Sequence, residues 1–315
     1  MNIATNPLFE ELAECKNILL AGAGGGFDIY SAIPLYFALR DLNKKVHLAN
    51  LSFASLSDPD ARISDHCYKV SKETKGSSTY FPEKTLCEWL DERQNISEVV
   101  YAFPQTGVVP LQKSYEKLTA NLDLDAIVLV DGGTDSLLRG DEVGLGTPAE
   151  DAASLVAVSQ TSVEKKILTC IGFGVDRFHG VCHAQYLESV AALTKRGEFL
   201  GSFSLLPQTA EARKYLDLVR YSSERTSRPS IVNTSIASAV AGEFGDHHAT
   251  NRTSGSQLWI SPLMSMYWSF QLQAVVDRNL YAERLVNTQD LFDVSTAIQG
   301  FRKDTTARKW DVIPD

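Results

Sequence analysis

The amino-acid sequence predicts a three-layer α/β fold built on a mostly parallel sheet, with a helical portion at the C-terminal end. Apolar runs of strand length alternate with longer amphipathic stretches, which is the pattern of strand–helix units in a parallel sheet. Several of these runs carry Val, Ile and Leu at consecutive positions, as strands buried on both faces do. The two observations together place helices on each side of the sheet.

The elements follow in chain order. We expect strands at Asn17–Ala21, Lys45–Phe53, Glu98–Phe103, Ala126–Val130, Lys166–Ile171 and Glu198–Leu205, and a shorter one at Ser230–Val232. We expect helices at Ile29–Leu42, Glu83–Glu92, Leu111–Leu122, Pro148–Val163, Ala184–Thr194 and Thr209–Tyr221. Pro34 lies inside the first helix, which therefore kinks there or begins later. The helix predicted from Pro148 has a clear start. Thr147 is expected to be its N-cap, Pro148 its first residue, and Glu150 the residue that completes a capping box. This alternation is typical of a Rossmann-like fold.

The last part of the chain changes pattern. Helical stretches replace strand-like ones from Ile231 onward, at Ile231–Glu243, Pro262–Arg278 and Gln289–Phe301. A polar segment, Ala54–Ser78, predicts a long surface loop, and such loops are often functional. No linker composition separates these parts. We therefore expect one α/β domain over residues 1–315, with residues 231–315 as a helical elaboration over the working edge of the sheet.

Composition limits the classes of function. With 44% hydrophobic and 22% charged residues, the chain of 315 residues has the composition of a globular protein. Its net charge of −9 disfavours a nucleic-acid partner. No segment reaches the roughly 18 apolar residues that span a membrane. The five cysteines form no CxxC pair and the N-terminus does not resemble a signal peptide, which predicts a cytoplasmic protein with reduced thiols. We expect a small-molecule ligand, and a homo-oligomer stays open.

Three of the predicted strands end in a turn that closes as glycine, one residue, aspartate. The turns are Gly22–Asp28, Asp131–Asp135 and Gly172–Asp176. Such turns lie at the carboxyl edge of a parallel sheet, where ligands of open α/β sheets bind. Glycine N–H groups suit a phosphate or carboxylate, whereas aspartates suit a divalent metal, sugar hydroxyls or a cationic group. The alternative is that Asp28 and Asp135 only cap the helices that begin there.

Known ligand-binding loops resemble two of these turns in part. Gly22–Phe27 has the first two glycines of the dinucleotide-binding pattern GxGxxG, but Phe27 occupies the position of the third glycine. The second predicted strand also ends without the Asp or Glu that would bind the ribose hydroxyl of NAD. Asp131–Ser136 resembles an ATP-pyrophosphatase loop in which Asp131 replaces the first serine. Mg²⁺ is therefore the cofactor we expect, and NAD is the alternative.

An acidic stretch follows the second turn. This stretch, Asp141–Glu142, allows two interpretations. With Asp131 and Asp135 it binds Mg²⁺ or supplies a general acid and a general base, or it is a solvated loop in which Arg139 forms local ion pairs.

Two histidines follow the third turn. His179 and His183 suit proton transfer, substrate hydrogen bonding or a structural role, and zinc is less favoured because no HExxH is present. The polar run Asp246–Ser256 predicts either a loop that reaches back to the site or an isolated surface loop.

The runs Gly22–Asp28, Asp131–Glu142 and Gly172–Arg177 together resemble a family catalogued as domain of unknown function 1152. The similarity extends along most of the chain, and the middle run is its specific part. The resemblance implies one continuous domain and no particular chemistry.

These observations predict an enzyme that acts on a nucleotide-like or phosphorylated small metabolite by metal-assisted hydrolysis or group transfer. The alternatives are an NAD-dependent enzyme that uses the first turn, and a ligand-binding protein without catalysis. The expected metal ligands are Asp28, Asp131, Asp135 and Asp176, and the expected catalytic residues are Asp135, His179 and His183. The expected ligand-binding residues are Gly24, Gly25, Gly26, Gly132, Gly133, Ser136, Arg139 and Arg177.

Overall fold

The computed structural model describes residues 5–77, 79–310 and 313. Its strands are β1 (Asn17–Gly22), β2 (Lys45–Ser52), β3 (Arg62–Ser64), β4 (Cys67–Val70), β5 (Val100–Pro104), β6 (Ala126–Asp131), β7 (Lys165–Cys170), β8 (Phe199–Ser204), β9 (Gly245–Asp246), β10 (Trp259–Ile260) and β11 (Met266–Gln271). Its α-helices are α1 (Pro7–Glu11), α2 (Asp28–Ser31), α3 (Ile33–Asp41), α4 (Pro82–Gln94), α5 (Val108–Leu122), α6 (Pro148–Ser159), α7 (His183–Lys195), α8 (Ala210–Ser223), α9 (Ile231–Val240), α10 (Leu272–Val276), α11 (Ala282–Leu285) and α12 (Leu291–Asp304). Short 3₁₀ helices cover Pro59–Ala61, Asp135–Leu137, Val175–His179, Asn251–Thr253 and Pro262–Ser265.

Nine strands form one sheet in the order β3-β4-β5-β2-β1-β6-β7-β11-β8, and β9 pairs with β10 apart from it. The central strands β5, β2, β1, β6 and β7 are parallel, whereas β4 and β11 run antiparallel to their neighbours. The prediction of a mostly parallel α/β sheet is therefore confirmed.

Apolar side chains on alternate positions of each central strand pack on opposite faces of the sheet. In β1, Ile18 and Leu20 face a core completed by α1–α4, α8 and α9. Leu19 and Ala21 face a second core completed by α5–α7 and α10–α12. All four side chains are fully buried, so both faces of the sheet are covered and the fold has three layers.

The order of the strands reverses at β1, which lies between β2 and β6. The chain leaves β1 toward one side to form β2 and returns on the other side to form β6. In open α/β sheets the crevice at the carboxyl ends of such a strand pair is the usual ligand site.

Two predicted elements in the C-terminal part are wrong. Ser230–Val232 is not a strand, because Ser230 is the N-cap of α9 and its hydroxyl accepts a hydrogen bond from the Asn233 N–H. Pro262–Arg278 is not one helix, because its middle forms β11 between β7 and β8. Tyr267 and Phe270 pack into opposite cores, as a strand requires, so pairing with two distant strands overrides the local pattern.

Two other regions refine the sequence expectations. The first predicted helix is divided into α2 and α3, and Pro34 stands in the first turn of α3, where its missing N–H costs nothing. The segment Ala54–Ser78, apart from Ser78, which lies outside the described residues, contains β3 and β4 at the edge of the sheet. Within the described ranges, every helix is too short or too polar to cross a lipid bilayer.

Candidate functional site

Five aspartates meet at the crevice between β1, β6 and β7. They are Asp28 at the start of α2, Asp131 at the end of β6, Asp135 in the following 3₁₀ turn, Asp151 in the first turn of α6 and Asp176 in the 3₁₀ turn after β7. All except Asp28 are at most 7% exposed. Sequence reasoning missed Asp151. The sequence feature that could have pointed to Asp151 is its position in the first turn of the predicted helix that follows the second glycine turn.

Three of the carboxylates are arranged as a metal site would be. Asp28, Asp131 and Asp151 each offer an oxygen, and these oxygens lie within 4.8 Å of one another. A divalent cation with oxygen ligands at about 2.1–2.5 Å separates opposite ligands by about 4–5 Å, which matches this spacing. The Asp151 Oδ1 atom is buried and has no hydrogen-bond partner among the residues that the structure describes.

Gly24 allows these carboxylates to approach one another. A Cβ at this position would lie 2.7 Å from Asp151 Oδ1 and 3.0 Å from Asp28 Oδ2. Such contacts are too short for a carbon atom, so a side chain here would push the two carboxylates apart. Glycine at this position therefore keeps the space between them open.

Gly133 has the same relation to the other carboxylates. A Cβ there would lie 2.8 Å from Asp176 Oδ2, 3.0 Å from Asp131 Oδ1 and 3.3 Å from Asp135 Oδ1. Asp131 belongs to both groups and joins them. The second and third turns thus deliver their carboxylates to the same place as the first.

Neutral donors orient these carboxylates. The Gly24 N–H donates to Asp28 Oδ2 at 2.7 Å, and the Thr134 N–H donates to Asp176 Oδ2 at 2.7 Å. The Ser136 hydroxyl donates to Asp131. In the described part of the chain, the ion pairs of lysine and arginine go to other acids, such as Asp141 and Glu142, and to none of the five aspartates.

The aspartates do not act as helix caps. The N-cap of α2 is Phe27, and Asp28 accepts from the preceding turn instead. Asp135 accepts hydrogen bonds from the N–H and hydroxyl of Thr147, at 2.8 and 3.3 Å. Thr147 is the N-cap residue of α6 as predicted, but the capping box is wrong. The Thr147 hydroxyl donates to Asp135 rather than capping the helix, and the Glu150 carboxylate accepts from Gln105 Nε2.

Burial raises the pKa of all five carboxyl groups, and repulsion from neighbouring carboxylates adds to the rise for every one except Asp135. Burial raises the pKa of Asp28 to about 7, with the charge of Asp135 adding to the effect. Burial raises the pKa of Asp135 as well. The pKa values of Asp131, Asp151 and Asp176 lie well above their ordinary range, first because of burial and then because of Asp135. At neutral pH this cluster needs protons or a cation to lower its electrostatic energy.

The glycine and serine residues predicted to bind ligand lie in the turns around the cluster. Gly25 and Gly26 have positive φ angles of 90° and 60°, and the Gly26 N–H donates to the Leu51 carbonyl at 3.0 Å. A Cβ at Gly132 would lie 3.0 Å from Asp28 Oδ1. Together with Gly24, Gly133 and Ser136, these residues form the walls of the crevice.

The two arginines predicted to bind ligand have other contacts. Arg139 Nε lies 3.4 Å from an oxygen of Asp141, and Arg177 stacks on the ring of Trp310 with its guanidinium 4.0 Å from the ring centre. Within the described residues, no hydrogen bond or ion pair joins either arginine to the five aspartates. The acidic stretch Asp141–Glu142 is likewise paired with arginine, and Glu142 is fully buried.

The two histidines differ in their surroundings. His179 is exposed, and its charge opposes the rise that burial causes in the pKa of Asp135. His183 starts α7 and packs on the Phe173 ring at 4.9 Å between centroids. Burial and then the charge of Arg177 lower the pKa of His183, so its neutral form is favoured.

Comparisons with known proteins identify the family and no activity. Comparison with curated proteins gave no match, and comparison with solved structures gave none either. The family model described as "Protein of unknown function (DUF1152)" matches residues 19–303, which include most of β1, all of β6 and β7, and all five aspartates. The chain therefore belongs to this family.

Proposed function

We propose that this protein is an enzyme that uses a divalent cation, Mg²⁺ foremost, to hydrolyse or transfer a group on a nucleotide-like or phosphorylated small metabolite. The observation that carries the proposal is the group of Asp28, Asp131 and Asp151, whose oxygens lie within 4.8 Å of one another. Asp151 contributes a buried Oδ1 atom without a hydrogen-bond partner among the described residues, which is the state of a ligand atom that awaits a cation.

The charge of the cluster supports a hard cation. Mg²⁺ and Ca²⁺ prefer carboxylate oxygens, and either ion would relieve the repulsion that raises the pKa values here. Such a cation supplies charge neutralisation for a phosphoryl group and an activated water. Asp28, Asp131 and Asp151 would hold it, and Asp176 and Asp135 line the adjoining space around Gly133. His179, whose charge acts on Asp135, and His183, whose neutral form is favoured, are the candidates for acid–base catalysis.

The same geometry favours the metal over NAD. The pyrophosphate of a dinucleotide would bind at the first turn, but the carboxylates of Asp28 and Asp151 lie next to Gly24 there and would repel it. The Gly24 N–H also already donates to Asp28. β2 ends in Leu51 and Ser52, which offer no carboxylate to a ribose. All five cysteines are buried, which suits reduced thiols and supports the cytoplasm as the compartment we propose.

Cation binding by the full chain tests the proposal. After treatment with EDTA and dialysis, the protein is titrated with Mg²⁺ and with Mn²⁺ by calorimetry, and its thermal unfolding is followed at each concentration. A cation at about 100 times its Kd stabilises the folded state by about 2.7 kcal/mol, so Tm should rise. Asp151→Asn should remove the rise, and Asp304→Asn, which changes a 69% exposed carboxylate, should keep it.

Turnover is then measured with a panel of nucleotides and sugar phosphates in the presence of the bound cation. Release of phosphate or pyrophosphate that depends on both the cation and Asp151 supports the enzyme. Absence of cation binding contradicts the proposal. Cation and ligand binding without turnover favours the non-catalytic alternative.

A further inference from the structure

A pocket of about 620 Å³ opens beside the first glycine turn. Five separate stretches of the chain line it, through Phe27, Phe53, Thr79, Tyr80, Ser227, Arg228 and Arg252. Hydrogen bonds hold two of these stretches together, because the Thr226 hydroxyl and the Ser227 N–H both donate to the Thr79 carbonyl, at 3.0 and 3.4 Å. The volume lies within the range of about 300–1,000 Å³ that is usual for small-molecule sites.

The charge of this pocket is opposite to that of the aspartate cluster. No carboxylate lines it, and neither Arg228 nor Arg252 forms an ion pair within residues 5–77, 79–310 and 313. Arg252 Nη1 donates to the Pro229 carbonyl, which keeps the side chain at the pocket. Burial raises the pKa of Tyr80, and the charges of Glu83 and Asp28 behind the pocket add to the rise. The charges of Arg252 and Arg228, which line the pocket, oppose it. Two unpaired arginines in a chain of net charge −9 suit a phosphate, which a guanidinium binds in two-point fashion.

The remaining walls are aromatic. The rings of Phe27 and Tyr80 meet edge to face with centroids 5.4 Å apart, and Phe53 is 45% exposed. A Cβ at Gly26 would lie 3.0 Å from the Tyr80 hydroxyl oxygen and 3.2 Å from Phe53, so glycine lets these rings close over the turn. An exposed ring such as Phe53, beside a half-buried Tyr80 and two arginines, suits a planar base, which stacks on aromatic side chains.

We propose that this pocket binds a nucleotide, with its base against Phe53 and Tyr80 and its phosphates against Arg228 and Arg252. This inference rests on the proposed function, since Phe27 of the pocket directly precedes Asp28 of the carboxylate cluster. The pocket supplies the positive charge that the cluster lacks. A phosphate chain that leaves the arginines along the Gly24–Phe27 turn reaches the side chains that would hold the cation.

Calorimetry on the full, EDTA-treated chain with AMP, ATP and inorganic pyrophosphate as probes tests the assignment. The wild type should bind AMP and ATP without added metal. The double variant Arg228→Gln, Arg252→Gln should weaken both nucleotides and pyrophosphate by tenfold or more. Phe53→Ala should weaken AMP by at least threefold and leave pyrophosphate unchanged. Arg213→Gln, on the exposed face of α8, is the matched control and should bind as the wild type does.

The outcomes separate this inference from the proposed function. Unchanged nucleotide affinity in the folded double variant, checked by circular dichroism and Tm, overturns the pocket even if Asp151→Asn abolishes cation binding. Failure of the wild type to bind any of the three probes at 1 mM overturns it as well. Arginine-dependent nucleotide binding in a protein that binds neither Mg²⁺ nor Mn²⁺ supports the pocket and rejects the metal-dependent function.

Discussion

Two acidic regions lie at or after the end of β6, and their carboxylates have different partners. One is the stretch Asp141–Glu142, and the other is the cluster around Asp131. Asp141 and Glu142 receive Arg308, whose Nε donates to Asp141 at 3.0 Å and whose Nη2 lies 3.6 Å from Glu142. Asp28, Asp131, Asp135 and Asp176 accept from hydroxyls and backbone N–H groups instead. The buried Asp151 Oδ1 has no hydrogen-bond partner among the described residues. The chain thus pairs the buried acid Glu142 with its own Arg308, whereas no lysine or arginine of the described residues pairs with the aspartates at the crevice. This difference supports the proposal that a cation from outside the chain binds there.

The largest expected effect comes from removing the internal cation of the first region. Arg308→Met leaves the fully buried Glu142 without its guanidinium and Asp141 with Arg139 alone, so the free energy of unfolding should fall by about 3 kcal/mol. The matched control is Arg196→Met, whose partner Asp277 is 46% exposed and whose loss should cost less than about 1 kcal/mol. Urea unfolding of both variants measures the difference. Equal losses would show that the Arg308 network is an ordinary surface feature.

This comparison also shows where sequence reasoning succeeded. The parallel sheet and the three turns followed from periodicity and from glycine placement, because those signals are local. The sequence alone could not separate Asp135 from Asp141, since the partner that distinguishes them, Arg308, is more than 160 residues away along the chain. β11 was missed for the same reason, because its pairing with β7 and β8 is set by tertiary contacts.

Asp151 illustrates a second limit of the sequence. The capping-box interpretation of Thr147 and Glu150 explained the start of α6 through hydrogen bonds within the helix. The structure turns Thr147 toward Asp135 and leaves Asp151 facing the crevice. A residue in the first turn of a helix can point either along the helix or toward the edge of the sheet, and packing decides which.

Glu83 is a buried acid outside the cluster, and it shows how far burial alone raises the pKa of a carboxyl group in this protein. Glu83 is fully buried beside Asn50, whose Nδ2 donates to it at 2.7 Å, and burial raises its pKa to about 7. Because the folded state holds the proton more tightly than the unfolded state, stability should fall as the pH rises from about 4.5 to about 7. Glu83→Gln should remove this loss, which is on the order of 2–3 kcal/mol.

Urea unfolding of the wild type and Glu83→Gln at pH 5 and pH 8 measures that loss. The variant should gain on the wild type at pH 8 and differ little from it at pH 5. A constant difference between the two proteins at both values would mean that Glu83 does not change its protonation in this range.

A side chain at Gly24 should break the cluster without changing its charge. In Gly24→Ala the new methyl group would lie 2.7 Å from Asp151 Oδ1, so the carboxylates must separate, at a cost of about 1–2 kcal/mol. The Mg²⁺-dependent rise in Tm should disappear. Gly300→Ala in α12 is the control, because its nearest atom would be 3.9 Å away, and the helix should gain about 0.5–1 kcal/mol. Retention of the Mg²⁺ effect in Gly24→Ala would place the cation elsewhere.

The smallest effect has the opposite sign and sharpens the comparison most. In EDTA, Asp151→Asn should raise the free energy of unfolding by about 1 kcal/mol, because an amide removes one buried like charge and can donate to Asp28 or Asp131. Urea unfolding with and without Mg²⁺ measures this gain and shows whether saturating cation reverses the ranking of variant and wild type. A group whose removal stabilises the empty protein and destabilises the loaded one has a role in binding, whereas Arg308 should be required under both conditions. If Asp151→Asn instead destabilises the protein in EDTA, Asp151 belongs to the same structural class as Glu142.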